Sequence, residues 1–528
     1  MKKLIKIFVI IVVFILIPVV LYLLTKNTAI KDTEHANTTG SKVQPQEIVN
    51  LNNGDTYLIN AKFIEKELNG NKVRMLGYNG SIPGPLIKVK QGSEIILELK
   101  NELDVPTTLH SHGVRLENKY DGVPKVTQEE IKPGETFSYK VKFPDQGLFW
   151  YHPHIREDYT QEMGLYGNFL VEPNNKEEWN PVNSEKILFV DDISLTLNGI
   201  ETFDNETANY VLMGRFGNTL LVNGDTKYSD NVNFGDVVRY YASNSANTRV
   251  FNLSIQGARI KLVGSDNGKY EKEEFVESII LGPSERVIFE VYFDKPGNYT
   301  LLHNTPEKEY ILGVISVSDK VTDANYSKEF FEIKYNKELT DYRTNLSNYI
   351  NIAPDKSVEI SLEMKSASGM MGGEGMHMMP DGSLMGNNTM NSVQTYGKIE
   401  WEDTMPMMNA ASTTKTVKWE LIDTITEKTN HDINWTFSKD ELIKLRIFNS
   451  DKSQHPMQHP FHIHGQRFIV LATNGEPTSN LAWKDSALIQ TGDTVDLLVE
   501  MTNPGTWMFH CHIPEHLESG MMGNFQVL

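Results

Sequence analysis

Two short β-forming units occur in the same order three times along the chain. This repeat limits the possible folds more than any other feature. The first unit is Gly92-Ser-Glu-Ile-Ile-Leu-Glu-Leu-Lys-Asn101; it recurs from Gly235 to Asn244 and from Asp440 to Asn449. The second runs from Pro133-Gly134-Glu135-Thr136 to Phe143, turns at Gly147 and reaches His152. It recurs from Gly282 to Phe293, Gly297 and His303, and again from Gly492 to Met501, Gly505 and His510. Each copy reads as strand, tight turn, strand, with a histidine at or near the end. Alternating stretches such as Ile95 to Leu99 and Leu442 to Ile447, bounded by Gly, Pro, Asn and Asp, read as antiparallel β-structure. The expected architecture is all-β, with three consecutive β-sandwich domains at about 47–175, 176–335 and 336–528. The extra length of the third copy is mostly a methionine-rich insertion at 370–408.

Ahead of the repeat, Lys2, Lys3 and Lys6 precede an apolar run from Ile7 to Leu24, broken only by Pro18. Such a run reaches the lower bound for crossing a bilayer, and its basic flank places the N-terminus inside. No A-x-A cleavage site follows, so residues 1–24 read as a signal anchor rather than a removed signal. Residues 25–46 read as a polar stalk or linker. The rest of the chain is expected outside the cytoplasm, membrane-anchored or secreted, as in a periplasm. With 50 basic and 69 acidic residues the net charge is −19, which excludes nucleic acid as a partner.

Four His-x-His pairs carry the chemistry: His110/His112, His152/His154, His462/His464 and His510/His512. Fifteen histidines scattered at random would give about 0.4 such pairs. Residues i and i+2 of a strand share a face, so each pair offers two imidazoles to one side. Eight imidazoles from four strand ends can surround a small metal cluster. The single cysteine excludes an intrachain disulfide and narrows the metal. Cys511 lies between His510 and His512, so alternation points it to the opposite face. A second site there takes Cys511 and His516, with Met521 placed as a weak axial ligand and His459 completing the set. Two histidines, one thiolate and a distant thioether are the ligands of a blue copper electron-transfer site. An electron arriving there can pass through the Cys511 backbone into His510 and His512, which suits reduction of dioxygen to water.

With these motifs the sequence resembles the multicopper oxidases, the family of laccases, ascorbate oxidase and periplasmic cuprous oxidase. The resemblance spans residue 47 to the C-terminus. It implies three cupredoxin-like Greek-key domains, the second without copper ligands and with only a lone His303. It implies four coppers per chain, one type 1, one type 2 and two type 3. Type 1 copper would take His459, Cys511, His516 and Met521, and type 2 copper His110 and His462. One type 3 copper would take His112, His152 and His512, and the other His154, His464 and His510. Asp121 stands where the family has a carboxylate near the cluster and is expected to relay protons. Many bacterial members carry glutamate directly after the last type 1 histidine; here that position is Leu517, and Glu518 is the nearest candidate for the second proton donor.

Ten of the 20 methionines lie between Met370 and Met408. Glycine, asparagine and aspartate accompany them, which does not suit a core strand. Thioethers favour Cu(I), so the segment reads as soft-metal capture or as a lid. Candidate substrate-copper ligands are Met370, Met371, Met376, His377, Met378 and Met379. By resemblance to the cuprous oxidase, Met457 joins them, with His455 standing where that enzyme has aspartate. The expected partners are dioxygen and a small reductant, Cu(I), with Fe(II) or a phenol as alternatives. A non-enzymatic assembly protein with a degenerate cupredoxin fold would have lost the cysteine and several of these histidines.

Overall fold

Period-two alternation accounts for the central strand of each domain. In Glu94–Asn101, Ile95, Leu97 and Leu99 are fully buried, and the residues between them are at least partly exposed. The computed structural model describes residues 40–175, 178–364, 376–378, 384–386 and 397–528. The apolar segment 1–24 and most of the methionine-rich insertion therefore lie outside the described residues. Among the described residues no helix is long and apolar enough to cross a membrane.

Ser41–Leu528 builds three cupredoxin-like sandwiches, each of two facing sheets. The central strands are Glu94–Asn101, Val237–Asn244 and Glu441–Asn449. Each pairs antiparallel with the strand that opens the second repeat unit: Thr136–Lys142, Arg286–Tyr292 or Thr494–Met501. On the other side each pairs parallel with an earlier strand: Thr56–Leu68, Ser184–Ile193 or Lys356–Met364. The sheets are thus mixed, where alternation alone read as antiparallel. Between the two parallel strands the chain visits the opposite sheet, through Leu86–Lys90, Tyr228–Phe234 or Asn434–Phe437. That crossover is what makes the parallel pairing possible. Ser41–Lys42, at the end of the segment read as linker, lies parallel to Thr56–Leu68 and so joins the first sheet.

The repeat also carries an asparagine whose purpose is visible only in three dimensions. Asn101, Asn244 and Asn449 end the three central strands, and each is buried. Each side-chain amide donates to two main-chain carbonyls: Val105 and Ile131, Arg249 and Leu281, and Met457 and Ile489. The amide pins the loop that crosses the end of the sandwich. Asn244→Leu would strand two buried carbonyls, at a cost of about 1–3 kcal/mol each. We expect a stability loss of about 2–5 kcal/mol in urea unfolding; a loss below about 1 kcal/mol would show that water replaces the amide.

Three hydrophobic cores follow the three sandwiches. The last also takes in Val211, Leu212 and Met213, which reach across to Trp419. The helix Lys337–Ile350 covers the outer side of the third sandwich. Its Leu339 and Leu346, two turns apart, pack on Ile469, Leu471 and Trp483.

Candidate metal centre

Strand register brings the histidine pairs together. The short strand His110–His112 lies antiparallel to Gly147–His152, with His110 opposite His152. In the third sandwich His459–Ile463 lies antiparallel to Gly505–Cys511, with His462 opposite His510. The two strand pairs face each other, and all eight imidazoles are buried between them. Three groups have ligand atoms within 4.8 Å of one another: His110/His462/His464, His112/His152/His512 and His154/His464/His510. The rings of His112 and His462, from the first and third sandwiches, stack at 3.7 Å.

A fourth group lies on the other face of the strand that carries His510 and His512. Cys511 Sγ is 3.5 Å from His459 Nδ1 and 3.8 Å from His516 Nδ1. The two imidazole nitrogens are 3.3 Å apart. Met521 is fully buried in the same core, and its carbonyl accepts the Cys511 N–H at 3.2 Å. Trp419 stacks on His516 at 4.5 Å and meets His459 edge-on at 4.6 Å. That tryptophan walls the site, and no sequence signal marked it.

Hydrogen bonds fix the free faces of the rings. His110, His152, His462 and His510 each give Nδ1 to a main-chain carbonyl, at 2.7–2.8 Å. His464 Nδ1 meets Asp121 Oδ2 at 2.9 Å, and Asp121 Oδ1 is 3.3 Å from His110 Nδ1. Two further buried carboxylates approach the rings at ion-pair distance, without hydrogen bonding to them. Glu157 Oε1 lies 3.0 Å from His154 Nδ1, and Asp485 Oδ1 lies 3.0 Å from His112 Nδ1. Sequence reading missed both; Glu157 follows His154 by three residues, which is a usable signal, whereas Asp485 is remote from His112. Glu518 is exposed at the end of the one-turn helix Pro514–Glu518 and belongs to none of these groups.

Burial, reinforced by repulsion among the rings, lowers the pKa of His112, His152, His154, His462 and His510 well below the ordinary histidine range. Near pH 7 they are neutral imidazoles, the ligating form. Burial works against charge on Asp121, but the facing His464 and His110 outweigh it and hold the carboxyl well below its usual range. Burial pushes the Cys511 thiol up; a bound metal would reverse this by taking the thiolate. The Nε2 atoms of His110, His112, His152, His154, His462 and His512 are buried without a hydrogen-bond partner. His464 Nε2 and His510 Nε2 face each other at 3.0 Å. Buried polar atoms are nearly always satisfied, so convergent orphan nitrogens fit bound cations.

Around the Cys511 group, His455 and Met457 are buried. Burial lowers the His455 pKa to about 4, and its field depresses His459 and His516 further. Gln458, next to His459, exchanges hydrogen bonds with the backbone of Glu400, a buried carboxyl whose Oε1 is unpartnered. Met376–Met378, which includes His377, pairs antiparallel with Leu384–Gly386. Met370, Met371 and Met379 lie outside the described residues. In the middle sandwich His303 accepts the Asn252 N–H at 3.0 Å and stacks on Tyr310. It is a core histidine.

Three cupredoxin-like domains, a thiolate–imidazole group and a buried imidazole cluster define a copper-binding redox protein. Three multicopper oxidase family models match residues 60–176, 192–320 and 400–528. A multicopper oxidase of Staphylococcus aureus is 28% identical over 491 residues, covering 90% of this chain and 89% of its own. A solved multicopper oxidase of Campylobacter jejuni, described as a metallo-oxidase, superposes with a TM-score of 0.66 at 25% identity, covering 93% of this chain and 96% of the other. A laccase-like multicopper oxidase from Ochrobactrum, described as active on lignin model compounds, gives 0.67 at 21% identity, covering 92% and 100%. The chain belongs to the multicopper oxidase family and is a copper-dependent oxidoreductase that uses dioxygen.

Proposed function

We propose that this oxidase draws electrons from Cu(I) at the Cys511 site and delivers them to dioxygen at the imidazole cluster. The observation that carries this is the back-to-back placement of the two sites on one strand: Cys511 with His459 and His516 on one face, His510 and His512 on the other. Bound copper supplies one-electron oxidation at the thiolate site and four-electron reduction of dioxygen to water at the cluster. We assign His459, Cys511, His516 and Met521 to one type 1 copper, and His110 and His462 to one type 2 copper. His112, His152 and His512, and His154, His464 and His510, hold the two type 3 coppers. The polypeptide between the Cys511 thiolate and its neighbouring imidazoles is the shortest link between the sites. Asp121, an ionised carboxylate whose Oδ2 faces His464 Nδ1, is the group that would pass protons toward the cluster. Glu157 is the carboxylate that reaches the imidazoles on the other side, with Glu518 facing it electrostatically from the surface. We further propose domain limits near those of the repeat, and a protein working outside the cytoplasm, held by Ile7–Leu24 or released.

Soft-metal oxidation is supported by buried Met457 and His455 beside the thiolate group, and by exposed Met407 and Met408 at the end of the methionine-rich stretch. The metallo-oxidase description of the Campylobacter relative points the same way. A phenol-oxidising reading is favoured instead by the laccase-like relative. Oxygen consumption should be compared with Cu(I), Fe(II) and a phenol, in the full chain and after removal of residues 370–396. That deletion leaves the helix Pro406–Ala411 and its Asn409 contacts in place. We expect Cu(I) turnover at limiting substrate to fall by about tenfold or more, with phenol turnover held or raised. Unchanged Cu(I) turnover with faster phenol oxidation would make the segment a lid and sink the capture reading.

A further inference from the structure

We infer that Arg286, in the middle sandwich, is a positioning residue for the imidazole cluster, and that through it the domain without ligands braces the metal centre. This rests on the assignment of His112 and His462 to copper. Arg286 is completely buried. Its Nη1 donates to Asp485 Oδ1 at 2.7 Å, and its Nη2 pairs with Asp485 Oδ2. Its Nε donates to the Leu148 carbonyl at 2.9 Å, and Nη1 also reaches the Ser284 carbonyl at 3.0 Å. One guanidinium thereby ties the first, second and third sandwiches at one point. A forked donor set on a carboxylate fixes its plane as well as its position.

What Asp485 does with that fixed position makes the contact functional. Its carboxylate Oδ1 lies 3.0 Å from His112 Nδ1, and its main-chain carbonyl takes the Nδ1 contact of His462 at 2.7 Å. One residue therefore hydrogen-bonds one imidazole and lies at ion-pair distance from the other, and the two rings stack on each other across the domain boundary. The surroundings are built for this approach. Gly113 has φ +80°, and a Cβ there would overlap the Asp485 carboxylate and crowd Arg286 Nη2. Ser284, in the left-handed region at φ 67°, gives its hydroxyl to Ser486, next to Asp485, at 2.8 Å. Left-handed backbone at a residue with a side chain persists only where its surroundings fix it. Asp266 accepts the Arg286 main-chain N–H at 2.8 Å and pairs with Lys484 at 3.1 Å, so the brace lies in a buried charged network. Partners that orient metal-bound histidines are worth about 10–100-fold in metal affinity.

The test uses the full chain, copper-loaded, with Arg286→Met, Arg286→Lys and Asp485→Asn. Copper per chain is read by elemental analysis, the uncoupled copper by electron paramagnetic resonance, and the thiolate-bound copper by its visible absorption. The Cys511 site is the internal folding control, since its ligands all lie in the third sandwich. We expect Arg286→Met to keep the visible band while the uncoupled copper is lost, or held about 10–100-fold more weakly against a chelator. Arg286→Lys should recover part of that loss, and Asp485→Asn should reproduce it. If Arg286→Met lacks the visible band, the other two variants decide on the same readouts. Wild-type copper retention in variants that keep the visible band would overturn the inference. Wild-type protein that holds no copper beyond the thiolate site would overturn the cluster assignment instead.

Discussion

We expect Cys511→Ser to abolish substrate oxidation and to leave the imidazole cluster filled. The substitution removes the chain's single thiol and replaces a soft donor with a hard hydroxyl oxygen. The group at His459, Cys511 and His516 then loses its copper or its thiolate colour. The imidazole cluster lies beyond the other face of the strand and keeps its hydrogen bonds to Asp121 and the main chain. Serine is smaller than cysteine by little, and Trp419 and Met521 still close the pocket. The expected result is a folded protein without the intense visible band and with one copper fewer. Turnover should fall by about a thousandfold or more, about 4 kcal/mol in activation free energy. A variant that still oxidises substrate at more than a tenth of the wild-type rate would show that electrons reach the cluster by another route.

We expect the metal-free protein to be acid-labile and copper to protect it. Burial lowers the pKa of His464 to about 4 and those of His459, His512 and His303 to about 3. In the unfolded chain a histidine titrates near about 6.5. Below that value the unfolded chain takes up protons that the folded chain refuses, so stability falls as pH falls. Each such histidine contributes a slope of about 1.4 kcal/mol per pH unit until its folded value is reached. With His152, His154 and His510 also held well below the ordinary range, the slopes act together from pH 6.5 downward. A domain's whole stability is about 5–15 kcal/mol, so about two pH units suffice to remove it. Melting temperatures of metal-free and copper-loaded protein should be measured between pH 7.5 and 4.5. We expect the metal-free protein to unfold near about pH 5 and the loaded protein to persist lower, because bound metal excludes the proton. A metal-free melting temperature that does not change across that range would contradict the neutral, buried state of these rings.

Sequence exposed the parts of this protein whose spacing is local. His-x-His on a strand end, Cys511 between His510 and His512, and the twice-repeated turn glycine and histidine are patterns within a few residues. They were enough for three β-sandwiches and for two ligand sets on opposite faces. The parallel strand pairs were not legible, because they depend on a crossover through the other sheet. The braces were not legible either. Asp485 and Arg286 lie in different repeats, and each resembles an ordinary charged surface residue until burial is seen. Trp419 and Val211 meet through a hydrogen bond 208 positions apart. Glu157 is legible as a carboxylate three residues beyond His154, whereas the family pattern, with its carboxylate beside the last type 1 histidine, points to Glu518.

The cluster takes half of its imidazoles from residues 110–154 and half from residues 462–512. Neither terminal domain can hold it alone, and the four imidazoles of the third sandwich, synthesised after those of the first, close it. Metal occupancy is therefore a report on completeness. A chain that stops before Phe509 lacks one of the four pairs, and outer domains that have not yet docked offer two pairs each, facing open solvent. Only the finished assembly becomes a high-affinity sink for copper. Copper held there would act as a clasp between the first and third sandwiches, and separating them would then require stripping the metal first.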